Sequence, residues 1–332
     1  MQKFNPDKVM VSDTLNKEVA DAGFTSAFQE KLVTTSLLSK LGKRVDVDGR
    51  VTKMSRGLDE LSDAYFVGEG EKIGVAKLEG DDFYFETKKI GVIIPVTEEF
   101  LAYTWSNFFA EVVASITDKF NKKVDGAAFL GLHGDPFKTI DKEGRTVQGN
   151  VLSAAEEAGK VLTGDLTTEN IYDLEALLDA EPNAFVGHRT LHRKLRALRD
   201  GQIKLDNGMT IGGETIFTRP TDQIGRLDDL AYGEIKLGKD NKRQPIPYPD
   251  GTLLTGNFDN LFYGIPRGAN LRLSVSDQAT ISGVQNAGPD SGDVHLFEQD
   301  MKALRAIFEI GVAVPKNEEF AVLKPATTAG EG

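Results

Sequence analysis

The chain has 332 residues, 39 Lys+Arg against 51 Asp+Glu for a formal net charge of −12, 40% hydrophobic residues and no cysteine. That balance describes a globular protein with an ample core, either two domains or one domain with large appendages, and the acidic surplus argues against whole-surface affinity for nucleic acid or anionic lipid. Disulfides, thiolate metal sites and cysteine nucleophiles are excluded, and no run approaches the roughly 18 consecutive apolar residues of a membrane span.

In chain order, residues 1–36 are weakly patterned, with Val19, Phe24, Phe28, Leu32 and Val33 marking a short helix in an extended arm. Val45–Lys53 alternates as a strand with a tight turn at Asp48-Gly49. Ser55–Asp82 is rich in glycine and acid and exceeds the roughly 12–15 residues of an ordinary loop. Phe83–Val96 alternates again, with Tyr84, Glu86, Lys88, Ile90, Val92 and Ile94 sharing one face. Two strand-like runs flanking a charged stretch describe either a projecting hairpin or a disordered linker.

Thr97 can cap a helix with Glu98 and Glu99 in its first turn. After a possible kink at Tyr103–Asn107, Phe108, Val112, Ile116, Phe120 and Val124 form one stripe, ended by Gly131 and Gly134. From Phe108 that helix extends about 35 Å at about 1.5 Å per residue.

The middle reads as α/β. Thr167 caps a helix through Ile171 and Leu174, Ala184–Val186 is a buried strand, and a second helix covers Thr190–Arg199. Short strands follow around Ile211, Glu214–Phe217 and Leu253–Thr255, with a proline-rich surface loop at Lys239–Gly251 and further strands at Leu261–Tyr263 and Leu271–Val275. Lys302–Val314 alternates as a strand of about 43 Å, and Phe320–Leu323 adds a last short one.

Local chemistry is sparse. His188 and His192 stand four apart, but Arg189 occupies the place of a zincin glutamate, and Arg193 and Lys194 oppose a cation. Asp46-Val47-Asp48-Gly49 lacks the later ligands of a calcium loop. Phosphate-cradling glycine loops and the Gly-x-Ser-x-Gly elbow are missing. No catalytic, cofactor or metal residues are therefore assigned. The basic run Arg189, Arg193, Lys194, Arg196 and Arg199 is the strongest charge feature; it is either ordinary helix-end electrostatics or a subunit contact.

Three stretches resemble the major capsid proteins of tailed bacteriophages, the Hong Kong 97-type fold. Ala64-Tyr65-Phe66-Val67-Gly68-Glu69-Gly70-Glu71-Lys72 is similar to the aromatic-Val-x-Glu-Gly segment of the family's E-loop. Phe85–Leu101 resembles the returning strand entering the long spine helix, which closes with Asp125-Gly126-Ala127-Ala128-Phe129-Leu130-Gly131. Leu304–Leu323 is similar to the closing strand, its proline and the Glu-Phe-Ala-Val run. Between them, Asn183–Val186 and Leu195–Asp200 resemble the axial domain's strand and helix.

The resemblance implies an α+β subunit with an N-terminal arm (1–44), an E-loop (45–90), a peripheral P-domain (91–134 and 268–332) and an axial A-domain (135–267). It implies a non-enzymatic shell protein without cofactors that assembles from hexamers and pentamers around double-stranded phage DNA, in the host cytoplasm and then in the virion. Because Met1 sits close to where the arm should start, a separate scaffolding protein is expected, together with a portal. Assembly contacts are expected at Phe66, Val67, Glu69, Glu71, Lys72, Arg189, Arg193, Arg196 and Arg267. Lys72 and Lys77 alone do not assign the Lys–Asn cross-linking known in one branch. Alternatives are an encapsulin compartment on the same fold, an α/β enzyme with Ser55–Asp82 as a lid, and nucleic-acid binding through the Arg189–Arg199 helix.

Overall fold

A computed structural model describes residues 35–58, 80–140, 146–201, 203–204, 210–239, 244–249, 251–266, 272–282 and 294–325; the stretches 55–58, 80–82, 100–113, 203–204, 210–211 and 272–273 and residue 275 are described through their backbone alone. The expected arm helix at Val19–Val33 lies outside the described residues. Helix α1 (Leu37–Leu41) leads into β1 (Lys43–Val47) and β2 (Val51–Leu58). Strands β3 (Gly80–Glu86) and β4 (Lys88–Thr97) precede α2 (Glu98–Leu130). The middle holds α3 (Val151–Glu157), β5 (Val161–Thr163), α4 (Thr168–Ala176), β6 (Ala184–His188) and, after a 3-10 turn at Arg189–Leu191, α5 (His192–Ala197). Then come β7 (Phe217–Thr221), β8 (Ile224–Leu227), β9 (Leu230–Ile235), β10 (Leu253–Gly256), β11 (Phe262–Pro266), β12 (Arg272–Ser276), β13 (Met301–Ala313) and β14 (Phe320–Lys324).

Two sheets carry the fold. One is built around β13, which pairs antiparallel with β4, β12 and β11, while β1 runs parallel to β11. The other runs β7-β8-β9-β6-β10-β14-β5. Alternation along β13 buries Leu304, Ala306, Phe308, Ile310 and Val312. These join Ile116, Phe120 and Val124 of α2 and the inner residues of the second sheet in one apolar core. Three segments pair across the divisions expected from sequence. Residues 43–47 and 262–266 belong to the sheet of β13, and 320–324 to the seven-stranded sheet.

The projecting-hairpin reading holds at its base. β2 and β3 pair antiparallel from Val51↔Glu86 to Ser55↔Asp82 and again at Leu58↔Gly80. The single shared face expected through 84–94 does not form. Phe83, Phe85 and Thr87 are buried, after which Ile90, Val92 and Ile94 turn inward. The phase changes at Thr87, where the chain leaves β2 for β13 and the Thr87 N–H bonds the Arg50 carbonyl at 2.9 Å.

Helix α2 is longer than the apolar stripe suggests: its 33 residues span about 50 Å, and helical backbone continues unbroken through 103–107. The Thr97 hydroxyl makes no capping bond. Instead the Glu98 N–H bonds the Asp300 carbonyl at 3.0 Å, and Lys302 Nζ reaches Glu98 Oε1 at 2.9 Å. The hydrogen bond from Lys302 holds the Glu98 carboxyl below its ordinary range, so the starts of α2 and β13 are stapled together. At the other end Gly131 takes φ 62°, a left-handed stop that glycine adopts without strain.

Asp125, in the closing segment of α2, is the polar pin of the fold. Its carboxylate accepts from Ser36 Oγ at 2.5 Å and from the backbone N–H groups of Leu37 and Leu38 at 3.0 and 3.1 Å. It thereby caps α1 across more than eighty residues of sequence. Complete burial raises its pKa to about 6 despite those three donors and the nearby Lys40. A carboxyl raised on folding contributes stability that is complete below its unfolded pKa, near 3.8, and is lost as pH rises through the folded value. That displacement corresponds to about 3 kcal/mol. Denaturant unfolding of wild type and Asp125→Asn at about pH 4.5 and about pH 7 is expected to show wild type losing stability relative to the variant at the higher pH; a difference that stays constant contradicts the assignment.

Candidate assembly interface

Among the described residues no group of three or more His, Asp or Glu could hold a metal. The two histidines four residues apart have separate roles. His188 ends β6, its Nδ1 accepts from the Thr190 N–H at 3.4 Å, and its ring stacks on Tyr248 at 4.9 Å. Tyr248 is itself buried and donates to the Thr252 carbonyl at 2.6 Å, anchoring the proline-rich loop. His192 is buried on the first turn of α5, with ring centroids 5.3 Å from Phe217 and 5.8 Å from Tyr232. Its Nε2 lies 3.7 Å from Glu234. Burial holds the imidazole below its ordinary pKa, and Arg196, Arg219 and Arg189 add to this against the pull of Glu234.

Of the residues expected to make assembly contacts, Phe66, Val67, Glu69, Glu71, Lys72 and Arg267 lie outside the described residues. Arg189, Arg193 and Arg196 are all exposed, on the 3-10 turn and α5. The sequence places them together because Leu191 and Leu195 bury one side of this short helical stretch, leaving the cations on the other. Folding adds Arg219 from β7, far away in sequence but within electrostatic reach of the same imidazole. Arg219 was not legible from any local motif, since it needs the packing of α5 on β7.

The β2–β3 base is held by a shaped apolar seat. Phe85 is fully buried with Val47, Phe83, Val147 and Ala313. Its ring lies over Gly264 and Gly311, which face each other in the β11–β13 ladder. A Cβ on Gly311 would come within 2.6 Å of the ring, and one on Gly264 within 2.9 Å. These glycines are needed for space rather than for backbone freedom. Thr139 Oγ1, on a short strand at Thr139–Ile140, also donates to the Tyr84 carbonyl at 3.3 Å, bracing the base from a second strand pair.

A 33-residue helix laid on a sheet with a 13-residue strand, a second sheet built from the middle of the chain and its last strand, and a braced hairpin base match the class of subunit that the Hong Kong 97-type resemblance implies. The phage capsid family matches residues 19–324, and the chain belongs to that family. The major capsid protein of Staphylococcus phage 80alpha is 35% identical over 328 residues, covering 98% of this chain and 90% of that protein. Solved chains from Mycobacterium phages Cain and Adephagia superpose with TM-scores of 0.63 and 0.62 at 18% identity, each covering 89% of this chain and 92% and 91% of theirs. A chain from the capsid of a native GTA particle gives 0.55 at 14% identity, covering 88% of this chain and 91% of its own. At those identities the structural matches establish the Hong Kong 97-type α+β fold.

Proposed function

We infer that this chain is the major capsid protein of a phage, and that its work is to repeat itself into a closed shell. The observation that carries this is the near full-length likeness to a phage major capsid protein, on a chain that folds as that family does. The same likeness favours a virion shell over an encapsulin compartment. Family membership also supports reading the chain as a structural protein without catalytic chemistry.

Several finer points belong to the same proposal. Subunits close into hexamers and pentamers of an icosahedral lattice enclosing double-stranded DNA, where symmetry multiplies individually modest contacts. A separate scaffolding protein and a portal take part, and assembly proceeds in the host cytoplasm before the chain resides in the virion. The hairpin tip, with Phe66, Val67, Glu69, Glu71 and Lys72, rests on a neighbouring subunit; Arg267 and the Arg189–Arg196 face make contacts within a capsomer. The peripheral part comprises α2 with the sheet of β13, and the axial part the seven-stranded sheet, which the chain rejoins at Phe320–Lys324. Protein mass spectrometry of particles purified from cells induced to produce the phage is expected to find this chain as the most abundant component. Particles that lack it contradict the proposal.

A further inference from the structure

Helix α5 has six residues, too few to persist by its own hydrogen bonds, since isolated helices shorter than about 12 residues are marginal in water. Its hold on the sheet comes from Leu191, His192 and Leu195, which are buried, while Arg189, Arg193 and Arg196 stand exposed. Of the three anchoring side chains only His192 can change charge. Its ring centroid lies 5.3 Å from that of Phe217 on β7 and 5.8 Å from that of Tyr232 on β9. Its buried Nε2 meets no hydrogen-bond partner among the described residues; Glu234 Oε2 stands 3.7 Å away, beyond hydrogen-bond reach. Charged and titratable groups face the ring from each element packed on it. β9 supplies Glu234 and the Tyr232 phenol, which burial pushes up and keeps neutral. β7 supplies Arg219, and α5 with its preceding turn supplies Arg196 and Arg189.

We propose that His192 is an acid-sensitive anchor: as a neutral ring it holds α5 on β7 and β9, and as a cation it lets α5 and the preceding turn lift, so that the position of Arg189, Arg193 and Arg196 depends on pH. A neutral imidazole suits a slot between two aromatic rings. An imidazolium there loses its hydration and faces three guanidinium groups against one carboxylate. Lifting α5 returns the ring to water and separates it from Arg219 on β7. The closed and lifted forms therefore differ in affinity for one proton, and that difference is what lets pH shift their balance. Burial first, and then the arginines, hold the imidazole below its ordinary 6.5 in the closed form. A base depressed in this way contributes its hold fully above 6.5 and loses it as pH falls from there through the closed-form value. The sign is opposite to that of Asp125, whose contribution is lost as pH rises. The device belongs to the single subunit and does not depend on the shell reading.

Hydrogen exchange read by mass spectrometry on the full-length subunit, at about pH 7.5 and about pH 5.5, tests the anchor once protection is corrected for the intrinsic pH dependence of amide exchange. In wild type, protection across α5 is expected to fall at least about threefold at the lower pH. The fall is limited to about tenfold, the advantage of an open form whose imidazole titrates at its ordinary 6.5. Peptides from β13 are expected to keep their protection. His192→Phe retains an aromatic ring without a titrating group and is expected to abolish the fall. If that larger ring disturbs folding, Arg219→Gln provides the reading, because Arg219 is exposed and lies outside α5. Removing its charge should shrink the fall, whereas Glu234→Gln should carry it towards the limit. Protection in α5 that stays constant or rises in acid overturns the proposal. So does an equal fall in β13, which reports loosening of the whole subunit. A fall that persists in folded His192→Phe, or a pH dependence that Arg219→Gln leaves unchanged, does the same.

Discussion

Subunits carrying Phe85→Ala are expected to lose about 3–5 kcal/mol of stability, the cost of emptying a tightly packed aromatic site. The ring is fully buried, and the glycine pair beneath it cannot move up to fill the space, because both glycines are fixed in the β11–β13 ladder. Denaturant unfolding of isolated subunits measures the loss; less than about 1 kcal/mol would show that the seat is not close-packed. Gly311→Ala attacks the same contact from the other side, where the added methyl would push on the ring edge, at about 1–3 kcal/mol. The two changes share one contact, so the double variant should be less destabilised than their sum. Assembly should suffer beyond the stability loss, since Phe85 fixes the angle at which the hairpin leaves the body.

Removal of residues 57–80 should separate folding from assembly. The ladder from Val51↔Glu86 to Ser55↔Asp82 survives the deletion. It leaves Arg56 and Asp81 as a two-residue turn, and an Asn-Gly pair at those positions supplies the geometry such turns prefer. The buried cluster of Val47, Phe83, Phe85, Val147 and Ala313 keeps all its members. The expected result is a subunit that unfolds at the wild-type midpoint yet yields at least about tenfold fewer shells, because the contact it loses is repeated at every lattice position. Normal particles from the deletion would remove the hairpin tip from the assembly interface.

Much of this architecture was legible in the sequence where a single periodicity ran long enough. The strut helix, the strand of β13 and the two arms of the hairpin are all of that kind. The phase change at Thr87 was not, because a strand that swaps partners without a turn still reads as one alternating run. The β7–β8–β9 meander was missed for a different reason. Its turns at Asp222-Gln223 and Asp228-Asp229 have φ between 47° and 70° at all four residues but contain no glycine, so the usual signal for a tight hairpin is absent. Contacts between distant segments were beyond reach as well. The Asp125–Ser36 bond, the Gly264–Gly311 seat and the approach of Arg219 to the α5 cations all depend on how sheets and helices pack. Among the assembly residues, the Arg189–Arg196 run announces itself by charge.

Electron microscopy of the purified chain, expressed with and without its genomic neighbours, bears most directly on the central claim. The account predicts uniform closed shells, or the rings from which shells are built, when the assembly partners are present. A folded chain that remains monomeric under both conditions would contradict it.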